Sequence, residues 1–320
     1  MSRKEQILVT GALGQIGSSL IKKLREIYSE GQVVATDIRM PEKNGLSNGP
    51  FELLDVLDKK RLQELVHHYK VTQVYHLAAL LSATGEQRPL DAWHLNMDGL
   101  LNVLEVAGEQ KLDKIYWPSS IAVFGDHSPK TDTPQITVMD PSTIYGISKI
   151  AGESWCQYYH HRYGVDVRSV RYPGLIGYDA LPGGGTTDYA VDIFHKAVQG
   201  DKFTCFLKPD TRLPMMYMPD AIRAALELMH ADQNKLTIHT SYNIAGCSFT
   251  PAEIADEIRK EIPSFQIAYQ PDQRQKIADS WPNSINDGTA QKDWGWKPEY
   301  DLSAMTNNML RHLRETLETN

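Results

Sequence analysis

Along the first half of the chain, short apolar runs alternate with stretches whose apolar residues recur every three or four positions. "QILVT" (residues 6–10) reads as a buried strand, and residues 15–28 carry Ile16, Leu20, Ile21, Leu24 and Ile27 at helical spacing. "QVVATD" (32–37) is the next strand. After a polar loop come "FELLD" from Phe51, a helix over 59–69 and the strand "QVYHLAA" from Gln73. A long helix over about 89–110 and the strand "KIYWPSS" (114–120) continue the series. Strands separated by helices imply right-handed crossovers and a parallel sheet covered on both faces.

The second half is less regular. "VDVRSVRYP" (165–173) reads as a further sheet strand, and "PGGGTTDY" (182–189) as a loop leading into a helix. A helix over 220–230, a strand at "YNIAG", a helix after "SFTP" with Thr250 as N-cap, a strand near 266–269 and a terminal helix from Asp301 follow. The expected fold is α/β, a Rossmann-type doubly wound parallel sheet with a smaller C-terminal α/β lobe. The sheet domain is placed at 1–173, with about 205–235 crossing back to it, and the lobe at 174–320.

Composition narrows this little: 41% of the 320 residues are hydrophobic and 23% charged, as in an ordinary globular protein. The net charge of −7 comes from mixed acids and bases, which argues against a nucleic-acid surface. No run approaches about 18 apolar residues, so no membrane span is expected. "MSRKEQILVTG" passes from a polar start into a strand without an apolar leader, which sets the expectation of a cytoplasmic protein. Cys156, Cys205 and Cys247 are far apart and odd in number, read as reduced thiols; no metal is called.

The chemistry is concentrated in two places. "TGALGQIG" sets Gly11, Gly14 and Gly17 between a strand and a helix, with Gln15 and Ile16 in the helix's first turn. Such glycines permit a tight turn and bring backbone amides to a pyrophosphate. Asp37 follows at the end of the second strand, where a carboxylate accepts from ribose hydroxyls and repels a 2′-phosphate, favouring NAD over NADP. Arg39 beside it keeps NADP open.

"IYGISK" puts Tyr145 and Lys149 one helical turn apart. A free phenol, with a pKa of about 10, is a poor base at neutral pH; a neighbouring ammonium and a cationic nicotinamide ring are expected to lower it. Ser119 and Ser120 in "WPSSIAVFG" stand at a strand end, where open parallel sheets bind ligands, and either can orient a substrate hydroxyl. Alone, the tyrosine–lysine pair also fits a solvated helix face. Beside a nucleotide loop and a strand-end serine, it reads as an alcohol-oxidising site.

With these motifs the chain resembles the extended short-chain dehydrogenase/reductase family over essentially its whole length. The resemblance implies catalysis by Ser120, Tyr145 and Lys149, with Ser119 close by. It implies that Asp55 and Val56 contact adenine, that Leu77, Ala78 and Ala79 lie beneath the cofactor, and that Asn96 supports the site. It also sets Tyr172 and Gly174 of "RYPGLIG" beside the nicotinamide and the substrate. Sugar-nucleotide members typically carry a diphosphate-binding asparagine at the Gly174 position, and no arginine set for a diphosphate is evident, so a small substrate fits better.

Five stretches, "AALLSATGE", "WPSSIAVFG", "PGGGTTDYAVDIF", "LPMMYMPDAI" and "RQKIADSWPNSIND", are similar to the threonine-oxidising subgroup of that family. This implies NAD-dependent oxidation of the L-threonine 3-hydroxyl to 2-amino-3-ketobutyrate. Ser82, Thr186 and Thr187 would then supply hydroxyl donors to an amino-acid substrate, and Trp281 an apolar lid. Read without the resemblance, Ser82 suits a helix cap, Thr186 or Thr187 an N-cap, and Trp281 ordinary core. No acidic partner for the substrate ammonium stands out. A sugar-nucleotide epimerase or dehydratase, or a catalytically silent NAD sensor, remains the alternative. The resemblance further implies a homodimer, with helices 89–110 and 145–163 pairing across a two-fold axis.

Overall fold

A computed structural model gives the architecture of residues 4–41, 46, 48–179 and 185–319. β1 (Ile7–Thr10) is buried throughout and leads into α1 (Gln15–Ile27). The alternation continues with β2 (Val33–Asp37), β3 (Phe51–Leu53), α2 (Lys59–Tyr69) and β4 (Gln73–His76). Next come the short α3 (Ser82–Gln87), α4 (Pro89–Gln110), β5 (Lys114–Tyr116), β6 (Ser119–Ser120), α5 (Ile144–Tyr163), β7 (Val167–Arg168) and β8 (Val170–Tyr172). As expected, the sheet is parallel, in the order β3-β2-β1-β4-β5-β7. Strand order reverses between β1 and β4, which opens a crevice beyond their carboxyl ends.

The lobe and the returning segments comprise β9 (Gly174–Ile176), α6 (Tyr189–Gln199), β10 (Phe203–Cys205), β11 (Leu213–Tyr217), α7 (Met218–His230), β12 (Tyr242–Asn243) and β13 (Cys247–Phe249). They end with α8 (Pro251–Glu261), β14 (Ile267–Tyr269), α9 (Arg274–Ser280), α10 (Gly288–Trp294) and α11 (Leu302–Thr319). The strand expected over 114–120 is split into β5 and β6 at Trp117 and Pro118, since proline brings no N–H to the ladder. Past the break β6 pairs with β8, and β8 with β12.

Three apolar cores result. On one sheet face Leu20, Ile21 and Leu24 of α1 meet Ala224, Ala225 and Leu228 of α7. On the other, α2, α4 and α5 contribute Leu62, Leu65, Leu100, Leu104 and Cys156. The third core fills the lobe between α6, α8, α11 and strands β9, β10 and β11. Met216, Met218, the apolar residues of 221–244, and again Ala290 and Trp296 share the α1 core, whereas Cys205, Phe206, Leu207, Leu213 and Tyr217 belong to the lobe. Thr250 caps α8 as expected, in a reciprocal pair with Glu253. Ile121, Ala122, Val123 and Phe124, just after β6, enter the lobe core, so Ser120 stands at the junction of sheet and lobe.

Among the described residues, no helix is long and apolar enough to cross a membrane.

Candidate active site

The glycine loop joins β1 to α1 with no slack. A Cβ on Gly17 would lie 2.2 Å from the Gly11 carbonyl oxygen, so α1 starts this close to the sheet only because residue 17 has no side chain. Gly14 donates its N–H to Gly11 O at 3.1 Å. α2, α5 and α8 are capped by Asp58, Thr143 and Thr250, but no side chain caps α1. Its amino end, with Gly11, Gly14, Gln15, Ile16 and Gly17, lines a cleft together with Leu77 and Ala79. An uncapped helix terminus opening on a cleft suits a phosphate or pyrophosphate, so these residues fit a dinucleotide.

Asp37, at the end of β2, accepts the Leu13 N–H at 3.1 Å and the Arg39 N–H at 3.2 Å, tying the loop to the sheet. The largely exposed Arg39 side chain lies 3.7 Å from the same carboxylate. Asp55 accepts the Leu57 N–H at 2.9 Å, and buried Val56 gives its carbonyl to Asn102 at 2.9 Å. Asp37, Arg39, Asp55 and Val56 thus stand at adjacent strand ends beside the glycine loop, outside the wall of the cleft. Ala78, also outside that wall, gives its N–H to Thr10 Oγ1 at 3.4 Å.

The second half of the cleft is built on α5. A Cβ on Gly146 would fall 2.1 Å from Ala122 O, so the first turn of α5 lies directly on the turn after Ser120. This brings Tyr145, Lys149 and Ser120 into the same cleft as the glycine loop. Ser120 Oγ accepts the Ala122 N–H at 3.2 Å, and its hydroxyl bonds Tyr145. Burial pushes the Tyr145 phenol up to about 12, and the Ser120 bond works against that rise. Lys149 Nζ donates to Pro118 O at 2.6 Å, 4.5 Å above the Trp117 ring and 5.4 Å from the Tyr145 ring centroid. Burial brings its ammonium down to about 7.

Burial thus disfavours the charged form of both groups in the chain by itself; the expected lowering of the phenol concerns the complex, in which a cationic nicotinamide ring would stand beside it.

Several expected contacts are redirected. Ser119 borders the cleft and gives its hydroxyl proton to Glu153 Oε1 at 2.6 Å, inside a buried pair that Glu153 makes with Arg171 at 2.7 Å. Tyr172 likewise turns its hydroxyl into the core, accepting from Tyr116 at 2.7 Å and donating to Ala221 O at 2.6 Å; only the rest of the residue borders the cleft. A Cβ on Gly174 would meet Met215 Sδ at 2.4 Å and Thr187 Cγ2 at 2.7 Å, which leaves no room for an asparagine. Asn96 lies behind the wall and brackets Leu80, accepting its N–H at 2.8 Å, donating to its carbonyl at 3.1 Å and to Ser148 at 3.2 Å.

Leu81, Ser82, Thr186, Thr187 and Trp281 line the remaining wall. Ser82 opens α3 behind Leu81, the N-cap, and Asp188 rather than either threonine occupies the N-cap of α6. Trp281 is both core and wall: it is buried among the lobe's apolar residues and borders the cleft. Of the "PGGGTTDY" loop, residues 182–184 lie outside the described residues. The sequence reading missed Asp188. Asp188 borders the cleft, and the signal was an acid directly after two candidate hydroxyl donors.

Among the described residues no group of three or more His, Cys, Asp or Glu is placed to hold a metal.

Known proteins resemble the chain over nearly its full length. It is similar to a GalE-like L-threonine dehydrogenase from Cupriavidus necator, in holo form, at 56% identity and a TM-score of 0.94, covering 96% of this chain and 99% of that one. It is also similar to an L-threonine dehydrogenase from Clostridium difficile, at 50% identity, a TM-score of 0.95 and 98% coverage of both. An uncharacterized epimerase/dehydratase of Staphylococcus haemolyticus is 50% identical over 97% of this chain and 98% of its own length. Residues 7–245, from the first strand through the glycine loop and the Ser120–Tyr145–Lys149 site to just past β12, match the NAD dependent epimerase/dehydratase family, and to that family the chain belongs.

Proposed function

We propose that the protein oxidises the 3-hydroxyl of L-threonine to give 2-amino-3-ketobutyrate and NADH. The observation that carries this reading is the meeting of Ser120, Tyr145 and Lys149 with the uncapped end of α1, in a cleft whose described lining holds no arginine. The similarity to threonine dehydrogenases at 50% identity and above supports the choice of substrate.

Ser120, fixed at the strand end, holds the alcohol oxygen in line with Tyr145. Tyr145, as the phenolate, accepts the alcohol proton, a positioned acid–base contribution worth about 10²–10⁴-fold. Lys149 has three donors, one of them engaged by Pro118 O, and the others serve the ribose and the tyrosine. NAD, when bound, supplies the hydride acceptor and a positive ring beside the phenol. Trp281 and Leu81 keep water from the reacting carbon.

Monitoring NADH with L-threonine, D-threonine, L-allo-threonine and UDP-galactose in parallel tests the proposal. Net NADH from L-threonine is expected. Conversion of UDP-galactose without net NADH would replace this reading with sugar-nucleotide epimerisation. The lack of room at Gly174 weighs against that alternative.

We also infer a homodimer. Leu90 and Trp93 of α4 and Ile147, Trp155 and Tyr158 of α5 expose apolar surface on two neighbouring helices, which suits self-association across a two-fold axis. Light scattering at a monomer's mass would overturn it.

A further inference from the structure

Between the turn after Ser120 and the start of α5 the chain runs through residues 125–143 without a helix or strand of its own. The two ends of this segment are held together beside the reacting groups. A Cβ on Gly125 would lie 1.9 Å from Asp140 O, so the ends touch. Thr143 then caps α5, accepting the Gly146 N–H at 3.1 Å, next to Tyr145. The middle of the segment is stitched to residues 283–286 of the lobe. Lys130 O accepts the Asn283 N–H at 2.6 Å, Thr133 N–H donates to Ser284 O at 3.1 Å, and Thr133 O accepts the Asn286 N–H at 3.0 Å.

The side chain of Lys130 adds a joint of another kind. Half-buried, it donates from Nζ to Gly125 O at 3.1 Å and to Ser280 O at 2.5 Å. The first carbonyl directly follows Ile121 to Phe124, the turn against which α5 is set by Gly146. The second is the last of α9 and directly precedes Trp281. A cation suits the final carbonyls of a helix, which have no partner within it. One ammonium therefore joins the main chain beside Ser120 and Tyr145 to the main chain that carries the Trp281 wall. Trp281 lies between α9 and α10, so the place at which residue 280 is held sets how far the indole reaches into the cleft. The backbone bonds at 283–286 hold the rest of that segment without the ammonium, so its effect is local to residues 280 and 281.

We propose that Lys130 is a positioning residue, which holds the Trp281 wall against the reacting end of the cleft and so limits the group on the substrate's alcohol carbon to a small one. This rests on reading the site as one that oxidises L-threonine, whose alcohol carbon carries a methyl. A wall released at residue 280 admits a larger substituent without disturbing Ser120, Tyr145 or the glycine loop. Substrate selectivity therefore responds to the lysine, and cofactor binding does not.

The test compares L-threonine with L-threo-3-phenylserine, which carries a phenyl in place of the methyl, by NADH formation. Lys130→Met keeps the stem and loses the ammonium. In it the ratio of kcat/KM for L-threonine to that for phenylserine should fall about 10-fold, within the range that pocket fit confers. NADH affinity, read by fluorescence, should hold. Trp281→Leu should lower the same ratio by itself. Adding Lys130→Met to it should change the ratio by less than about 2-fold, because the lysine acts through the indole. A merely structural lysine would lower turnover of both substrates together and leave the ratio as it was. Lys130→Gln, which keeps N–H donors without the charge, should show the same fall in smaller measure and replaces Lys130→Met if that variant does not fold. An unchanged ratio in the lysine variant, or an equal effect with and without Trp281, overturns the proposal while turnover of L-threonine stands. A wild type that makes no NADH from L-threonine removes the reading of the whole site and this inference with it.

Discussion

Gly17→Ala isolates how tightly the first helix must meet the sheet. The added Cβ would lie 2.2 Å from Gly11 O and 2.9 Å from two backbone atoms of Ala12, whereas ordinary contact begins at 3.4 Å. These are all main-chain atoms next to a strand paired on both sides by β2 and β4, so the sheet cannot give way. Helix α1 has to move outward instead. Overpacking of this kind costs about 1–3 kcal/mol, a fall in Tm of roughly 2–12 °C at about 2–4 °C per kcal/mol. The helix terminus moves with it, and its attraction for an anion is worth up to about 2 kcal/mol, roughly 30-fold in Kd. Gly14→Ala is the control: its Cβ meets nothing nearer than Gly11 O at 3.3 Å, so its Tm should change by only about 1–2 °C. Thermal melts and NADH fluorescence titrations on both variants read the outcome. The reasoning is refuted if Gly17→Ala melts and binds like the wild type, or if Gly14→Ala melts as early as Gly17→Ala.

Two further substitutions probe the neighbouring elements. Asp37→Ala should raise the kcat/KM ratio of NADP to NAD by at least about 10-fold, since a carboxylate facing a phosphate near the surface is worth about 1–4 kcal/mol; an unchanged ratio removes Asp37 from cofactor choice. Glu153→Ala strands the Arg171 guanidinium, which is 3% exposed, and releases Ser119. A loss of about 3–5 kcal/mol is expected for breaking one side of a buried pair, and a denaturant midpoint near that of the wild type would contradict it.

What could be read from the chain alone follows from how local each signal is. The glycine loop, the Tyr145–Lys149 spacing and the strand–helix alternation are short-range patterns, and the structure brings Gly11, Gly14, Gly17, Ser120, Tyr145 and Lys149 to one cleft. Ser119 is instructive. Both serines border the cleft, and only the packing of Glu153 and Arg171 shows that the Ser119 hydroxyl is engaged by a buried carboxylate. The hydroxyl of Tyr172 and the return of α7, β12 and α10 to the α1 core depend on contacts between residues far apart in sequence, such as Tyr172 with Ala221. Asp188 was hidden by its position, because an acid beginning a helix looks like an ordinary cap.

The central claim is that the Tyr145 oxygen takes the alcohol proton. Single-turnover NADH formation from L-threonine over about pH 6–9, in wild type and Tyr145→Phe, tests it most directly. The wild-type rate should climb with pH as the phenol ionises, while Tyr145→Phe should fall by about 10²–10⁴-fold, lose the climb and still bind NADH. A Tyr145→Phe enzyme that keeps both the rate and the pH dependence of the wild type would contradict the account.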